Sequence, residues 1–151
     1  MLKQEDLQGL QELVAVGAMV KIWSNEKNER KLRVSLVGEK SLAVVYTADN
    51  LCALLKQASK RIKSTKNIES NMFPAVDWLL DKGLFITISA CNNYYYLNIK
   101  AKDEYKYLPH GMFQTLTLQD NGIMDLLETT EGWASTLKNH MLEDVNDLCQ
   151  E

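Results

Sequence analysis

A helix, glycine, strand pattern that occurs twice is what most limits the folds open to this chain. The stretches "LQELVAVGAMVKIWS" (Leu10 to Ser24) and "VDWLLDKGLFITIS" (Val76 to Ser89) fall into register when Gly17 is set over Gly83. Leu10 then meets Val76, and Leu13 and Val14 meet Leu79 and Leu80. Past the glycine, Met19, Val20 and Ile22 meet Phe85, Ile86 and Ile88. Apolar residues keep helical spacing before each glycine and alternate after it, which reads as helix, glycine stop, then strand. Pro74 suits the first turn of the second helix, where its missing N–H costs nothing.

The pattern continues beyond the first strands. "KLRVSLVGEKSLAVVYT" reads as two strands around a tight turn at Gly38-Glu39-Lys40, and "FITISACNNYYYLNIKA" turns at Asn92-Asn93, where asparagine tolerates positive φ. In each half Asp-Asn then introduces an apolar helix, "TADNLCALLKQASKRI" and "LQDNGIMDLLETTE". Thr47 or Asp49 is the expected cap of the first and Asp120 of the second. The fold class that follows is α+β: a tandem duplication of an α-β-β-β-α unit, each an antiparallel three-stranded sheet with helices on one face, plus a C-terminal helix. That last helix would use Trp133, Leu137, Met141, Val145 and Leu148 as its apolar stripe. Residues 1–66 form the first unit and 67–151 the second, joined by the Ser-, Asn- and Lys-rich "KSTKNIESN". The second unit carries a longer insert between its second and third strands, "AKDEYKYLPHG" at 101–111.

With 151 residues and 46% hydrophobic content, the chain can bury a real core. Its longest apolar runs, such as "LVAVGAMV", fall far short of the roughly 18 residues of a membrane span. Acidic and amide residues open the chain where a signal peptide would be apolar, so the expected setting is cytoplasmic. The net charge of −3 divides unevenly: 12 basic against 7 acidic residues up to Lys66, then 5 against 13. Such a split points to separate partners for the halves or attraction between them.

Chemistry finds little support. No phosphate-binding glycine loop, dinucleotide fingerprint, nucleophile elbow or zinc-protease motif occurs in the sequence. Cys52, Cys91 and Cys149 share no short metal spacing, so neither a metal site nor a cofactor is expected. A nucleophile built from Cys91 with His110 or His140 has no pocket signal behind it, and Cys91 reads as a strand residue. The chain is therefore expected not to be an enzyme. The α-β-β-β-α order is also that of double-stranded RNA-binding domains, whose basic cluster opens the last helix. Here the cations come at that helix's end, and shared topology alone carries no function.

Three binding surfaces compete. Alternation puts Met19, Lys21, Trp23, Arg33 and Ser35 on the open side of the first sheet, and Phe85, Thr87, Ser89, Tyr94, Tyr96 and Lys100 on that of the second. The expected function is protein–protein contact, including self-association as a homodimer, through Trp23, Tyr94 and Tyr96 and the insert residues Tyr105, Tyr107 and His110. Nucleic-acid binding by the basic helix end, Lys56, Lys60, Arg61, Lys63 and Lys66, is the first alternative. The second is an acidic inhibitor that docks on a nucleic-acid-handling enzyme through Asp120, Asp125, Glu128, Glu131, Glu143, Asp144, Asp147 and Glu151.

Overall fold

The computed structural model describes residues 2–36, 39–62, 71–101 and 115–149. A 3-10 turn at Gln4–Leu7 leads into α1 (Gln8–Ala15), β1 (Ala18–Ser24), β2 (Arg30–Leu36), β3 (Glu39–Ala48) and α2 (Leu51–Lys60). Then come α3 (Pro74–Asp81), β4 (Leu84–Cys91), β5 (Tyr94–Ala101), β6 (Thr115–Asp120) and α4 (Ile123–Cys149). The molecule is α+β.

Two separate three-stranded sheets were expected, but β1 and β4 pair antiparallel and join all strands into one six-stranded sheet, ordered β3-β2-β1-β4-β5-β6. Along β1, Ala18, Val20 and Ile22 are buried while Met19 is exposed; along β4, Leu84, Ile86 and Ile88 are buried and the residues between them are not. Strand alternation thus gives one apolar side, and all four helices pack there. A single apolar cluster runs through both halves, with Leu10 and Val14 of α1, Leu54 and Leu55 of α2, Leu79 and Leu80 of α3, and Leu126 and Leu127 of α4.

Local signals explain the element ends. Gly17 and Gly83 take φ of 110° and 88°, a region costly for side-chain-bearing residues, and each closes its helix by donating N–H to a carbonyl three residues back. Asn92 and Asn93 both have positive φ and make the β4–β5 turn anticipated from sequence. Of the turn expected at Gly38-Glu39-Lys40, Gly38 lies outside the described residues, while Glu39 and Lys40 already belong to β3, Glu39 pairing with Leu36. Neither Thr47 nor Asp49 caps α2: Asn50 does, with Oδ1 accepting from Ala53 N at 2.8 Å. The first turn of α4 is satisfied from a distance, Ile123 N donating to Gln11 Oε1 at 3.2 Å. The Asp120 side chain lies outside the described residues.

The C-terminal segment also departs from expectation. Two helices, one answering α2 and one extra, are instead a single 27-residue helix. Gly132 sits within it with open space around it, and Thr130 keeps its hydroxyl satisfied on the Leu126 carbonyl, so neither residue interrupts the turn-to-turn bonding. The helix packs on α3 and along β5 and β6. Of its expected stripe, Leu137 is buried and Trp133 half-buried, while the side chains of Met141, Val145 and Leu148 lie outside the described residues.

A buried charged junction ties the halves together. Arg30, at the start of β2, donates Nε to Asp77 Oδ1 at 2.8 Å and an NH2 proton to the Asp77 carbonyl at 3.0 Å. The same NH2 meets Asp81 at 2.7 Å. Asp77 also accepts from Leu51 N, at the start of α2, so one carboxylate serves β2, α2 and α3. Burial works against the guanidinium charge, but hydrogen bonds to Asp77 and Asp81 outweigh it and hold Arg30 above its ordinary pKa. Removing one partner of a pair this buried strands the other. Asp77→Ala should cost about 3 kcal/mol in urea unfolding, the low end of the usual range because Asp81 remains.

A second clasp lies across α3. The Glu131 carboxylate of α4 accepts from Ala75 N at 2.7 Å and Val76 N at 3.1 Å, satisfying donors at the α3 N-terminus. Burial raises the Glu131 pKa despite those bonds, with Asp77 adding to the rise and Lys138 opposing it. A carboxyl raised in the folded state ionises more readily when unfolded, so its contribution to stability falls as pH climbs from the ordinary carboxyl range through the folded pKa. The stability of the wild type relative to Glu131→Gln should therefore be higher at pH 4 than at pH 7, measured by paired denaturation curves.

Candidate functional site

The helix-free side of the sheet is the surface with a definable chemistry. Pairing register sets its rows. Across one row stand Thr47, Lys31 and Trp23 on β3, β2 and β1. Because Ile22 pairs with Ile86, the row continues to Phe85 on β4 and Lys100 on β5. The next row runs Val45, Arg33, Lys21, Thr87 and Asn98, and a third brings Ser35 beside Met19 and Ser89 beside Tyr96. Tyr94 stands opposite Cys91 at the far corner and is 42% exposed.

Joining β1 to β4 edge to edge therefore lays both open faces side by side, where neither covers the other. Their charge is one-sided. Lys21, Lys31, Arg33 and Lys100 lie on this face, and among its described side chains no strand position carries Asp or Glu. The acidic residues of the second half whose side chains are described lie on the opposite side, on α3 and α4: Asp77, Asp81, Asp125, Glu128 and Glu131.

Lys21 and Arg33 stand directly opposite each other across β1 and β2, an arrangement that costs stability in a sheet. Part of that cost is offset by rings. Lys21 Nζ sits 4.8 Å from the Phe85 centroid and 5.7 Å from that of Trp23. Lys31 Nζ donates to Thr47 Oγ1 at 2.8 Å, which holds a third cation in the plane of the face. Aromatic surface and positive charge are thus interleaved, the combination that stacks bases and attracts phosphates.

At the rim beside Trp23, the β1–β2 turn encloses an open hollow lined by Trp23, Ser24, Asn25, Glu26, Lys27, Glu29 and Lys31. Asn25 builds the turn. Its Oδ1 accepts from Lys27 N and Glu29 N, both at 3.0 Å, and its Nδ2 donates to Glu29 Oε1 at 3.1 Å. Arg30 reaches from the buried junction to Ser24 Oγ at 3.1 Å, so the turn is anchored to the core.

The residues singled out from sequence fall in several places. Trp23 and Tyr96 are half-buried on the open face, with Tyr94 at its corner. Tyr105, Tyr107 and His110 lie outside the described residues, as do Lys63 and Lys66. The remaining basic helix end is partly neutralised: Lys60 lies 3.5 Å from Asp6 Oδ1. The Lys3 backbone N–H lowers the Asp6 pKa, and Lys60 and Lys56 lower it further against the effect of burial. Arg61 is exposed and takes the left-handed conformation that ends α2. Lys31 was overlooked as a face residue, although its spacing of two from Arg33 carried the signal. The turn hollow had no sequence signal beyond a polar loop.

Among the described residues no group of His, Cys, Asp and Glu could hold a metal ion, and no helix is long and apolar enough to cross a membrane. No family model, curated protein or solved structure matches this chain. Arg33 faces Lys21 and is exposed, so Arg33→Thr removes a like-charge pair and adds a good strand former. Its stability in urea should rise by about 0.2–1 kcal/mol, the range for a cross-strand pair.

Proposed function

We propose that this chain is a non-catalytic binding protein whose open sheet face holds single-stranded nucleic acid. The observation that carries the reading is a six-stranded face bearing four cations interleaved with Trp23, Phe85 and Tyr96, and no carboxylate among its described side chains. Flexible strands suit such a surface, because bases stack on the rings while phosphates track the cations. The acidic second half presents no obstacle, since its described carboxylates lie on the helix side.

The same charges speak against self-association of the open faces. Two copies pressed together there would set four cations against four, at a cost that rises as water is excluded. The basic end of α2 is a weaker candidate, because Asp6 already pairs with Lys60. A partner protein with an acidic surface is the second reading, favoured by the exposed apolar residues Met19, Val45 and Tyr94 on the face. A cytoplasmic setting belongs to this proposal and is supported by the exposed free thiol of Cys91.

We further infer a tandem origin for residues 1–66 and 67–151. What supports it is the positive φ of both Gly17 and Gly83 and a strand order that mirrors itself about β1 and β4.

Anisotropy titrations of a labelled 15-nucleotide DNA strand across a salt series provide the test. Four phosphate contacts predict a log-log slope near −3, at about 0.7 per contact. Lys31→Ala with Arg33→Ala should halve that slope, whereas Trp23→Ala should lower affinity about tenfold with the slope unchanged. Equal or tighter binding of polyglutamate would transfer the reading to an acidic protein partner. Absence of oligonucleotide binding at low salt would sink the nucleic-acid reading.

A further inference from the structure

The cations and stacking rings of the open face explain attraction to a strand but accept any sequence. The turn hollow differs from that face in kind. It adjoins the face at Trp23 and Lys31, yet Glu26 and Glu29 also line it, so carboxylates stand here where the described strand positions of the face carry none. An ionised carboxylate accepts hydrogen bonds and cannot donate them.

We infer that this hollow is a base-reading pocket that selects nucleobases carrying an exocyclic amine, cytosine over uracil. The inference rests on the proposed binding of single strands. Cytosine presents an N4 amine at the position where uracil presents the O4 carbonyl, and the two rings are otherwise alike in shape. Carboxylates favour the first and repel the second. Trp23 supplies a stacking surface at one wall, and Lys27 and Lys31 at the rim suit the flanking phosphates.

The turn is preorganised for this work. Asn25 bonds to two backbone N–H groups and to Glu29 Oε1, leaving the second Glu29 oxygen for a ligand. Arg30 fixes the turn from below through Ser24 Oγ and is itself held by Asp77 and Asp81. A pocket whose walls do not have to order on binding keeps more of its selectivity.

Labelled (dC)12 and (dU)12 carry equal phosphate charge, so their affinity ratio at one salt concentration reads the pocket alone. The ratio should favour (dC)12 by about tenfold, the scale of one hydrogen bond to a charged acceptor. Glu26→Gln with Glu29→Gln should bring it to about one while leaving the thermal melt in place, because glutamine at 29 keeps an acceptor for Asn25 and gains a donor suited to O4. Equal binding of both strands by the wild type overturns the pocket and leaves the open-face reading standing. Binding of neither strand overturns both.

Discussion

The Arg30 guanidinium is the point on which the arrangement depends. It leaves the sheet at the start of β2, crosses to α3, and is held there by Asp77 and Asp81, while Asp77 also receives the first N–H of α2. Three elements from both halves of the chain, β2, α2 and α3, meet at this one charge group. A buried ion pair is weak evidence for net stability, because apolar residues of equal volume often do as well. Its value here is directional. It sets where α3 crosses the sheet, and through Ser24 it sets the shape of the β1–β2 turn.

From that junction the surface chemistry follows in order. Fixing both halves on one sheet puts every described helix on the apolar side and leaves the other side without one among the described residues. Lysine and arginine at alternate strand positions then have nowhere to go but the bare side. The like-charge pair Lys21 and Arg33 is a local conflict in an otherwise consistent sheet, and such conflicts concentrate where a binding surface is required. The neighbouring rings of Phe85 and Trp23 ease the conflict without removing it.

Much of the fold could be read from residue patterns, for reasons that are local. Gly17 and Gly83 announced helix ends because few other residues accept their backbone angles, and Asn92-Asn93 announced a hairpin likewise. Inward and outward strand residues followed from a period of two. What could not be read was tertiary. Nothing in "MVKIW" or "ITIS" tells that β1 lies against β4, since Val20, Ile22, Ile86 and Ile88 lie beneath the helices whether or not the two strands pair. The two helices expected at the C-terminal end are one α4, which runs through Gly132. Of the candidate site, Trp23, Tyr94 and Tyr96 were legible as outward aromatics. The cation field around Trp23 was not, because it assembles from β2, β1 and β5 only after the central strands pair.

That central pairing has a mechanical consequence. The β1–β4 ladder holds three residue pairs, against seven between β1 and β2 and eight between β4 and β5. The shortest lateral bonding of the sheet thus lies at its centre, around the pair Lys21 and Thr87. Twist between the two flanks is constrained there by fewer ladder bonds than within either flank.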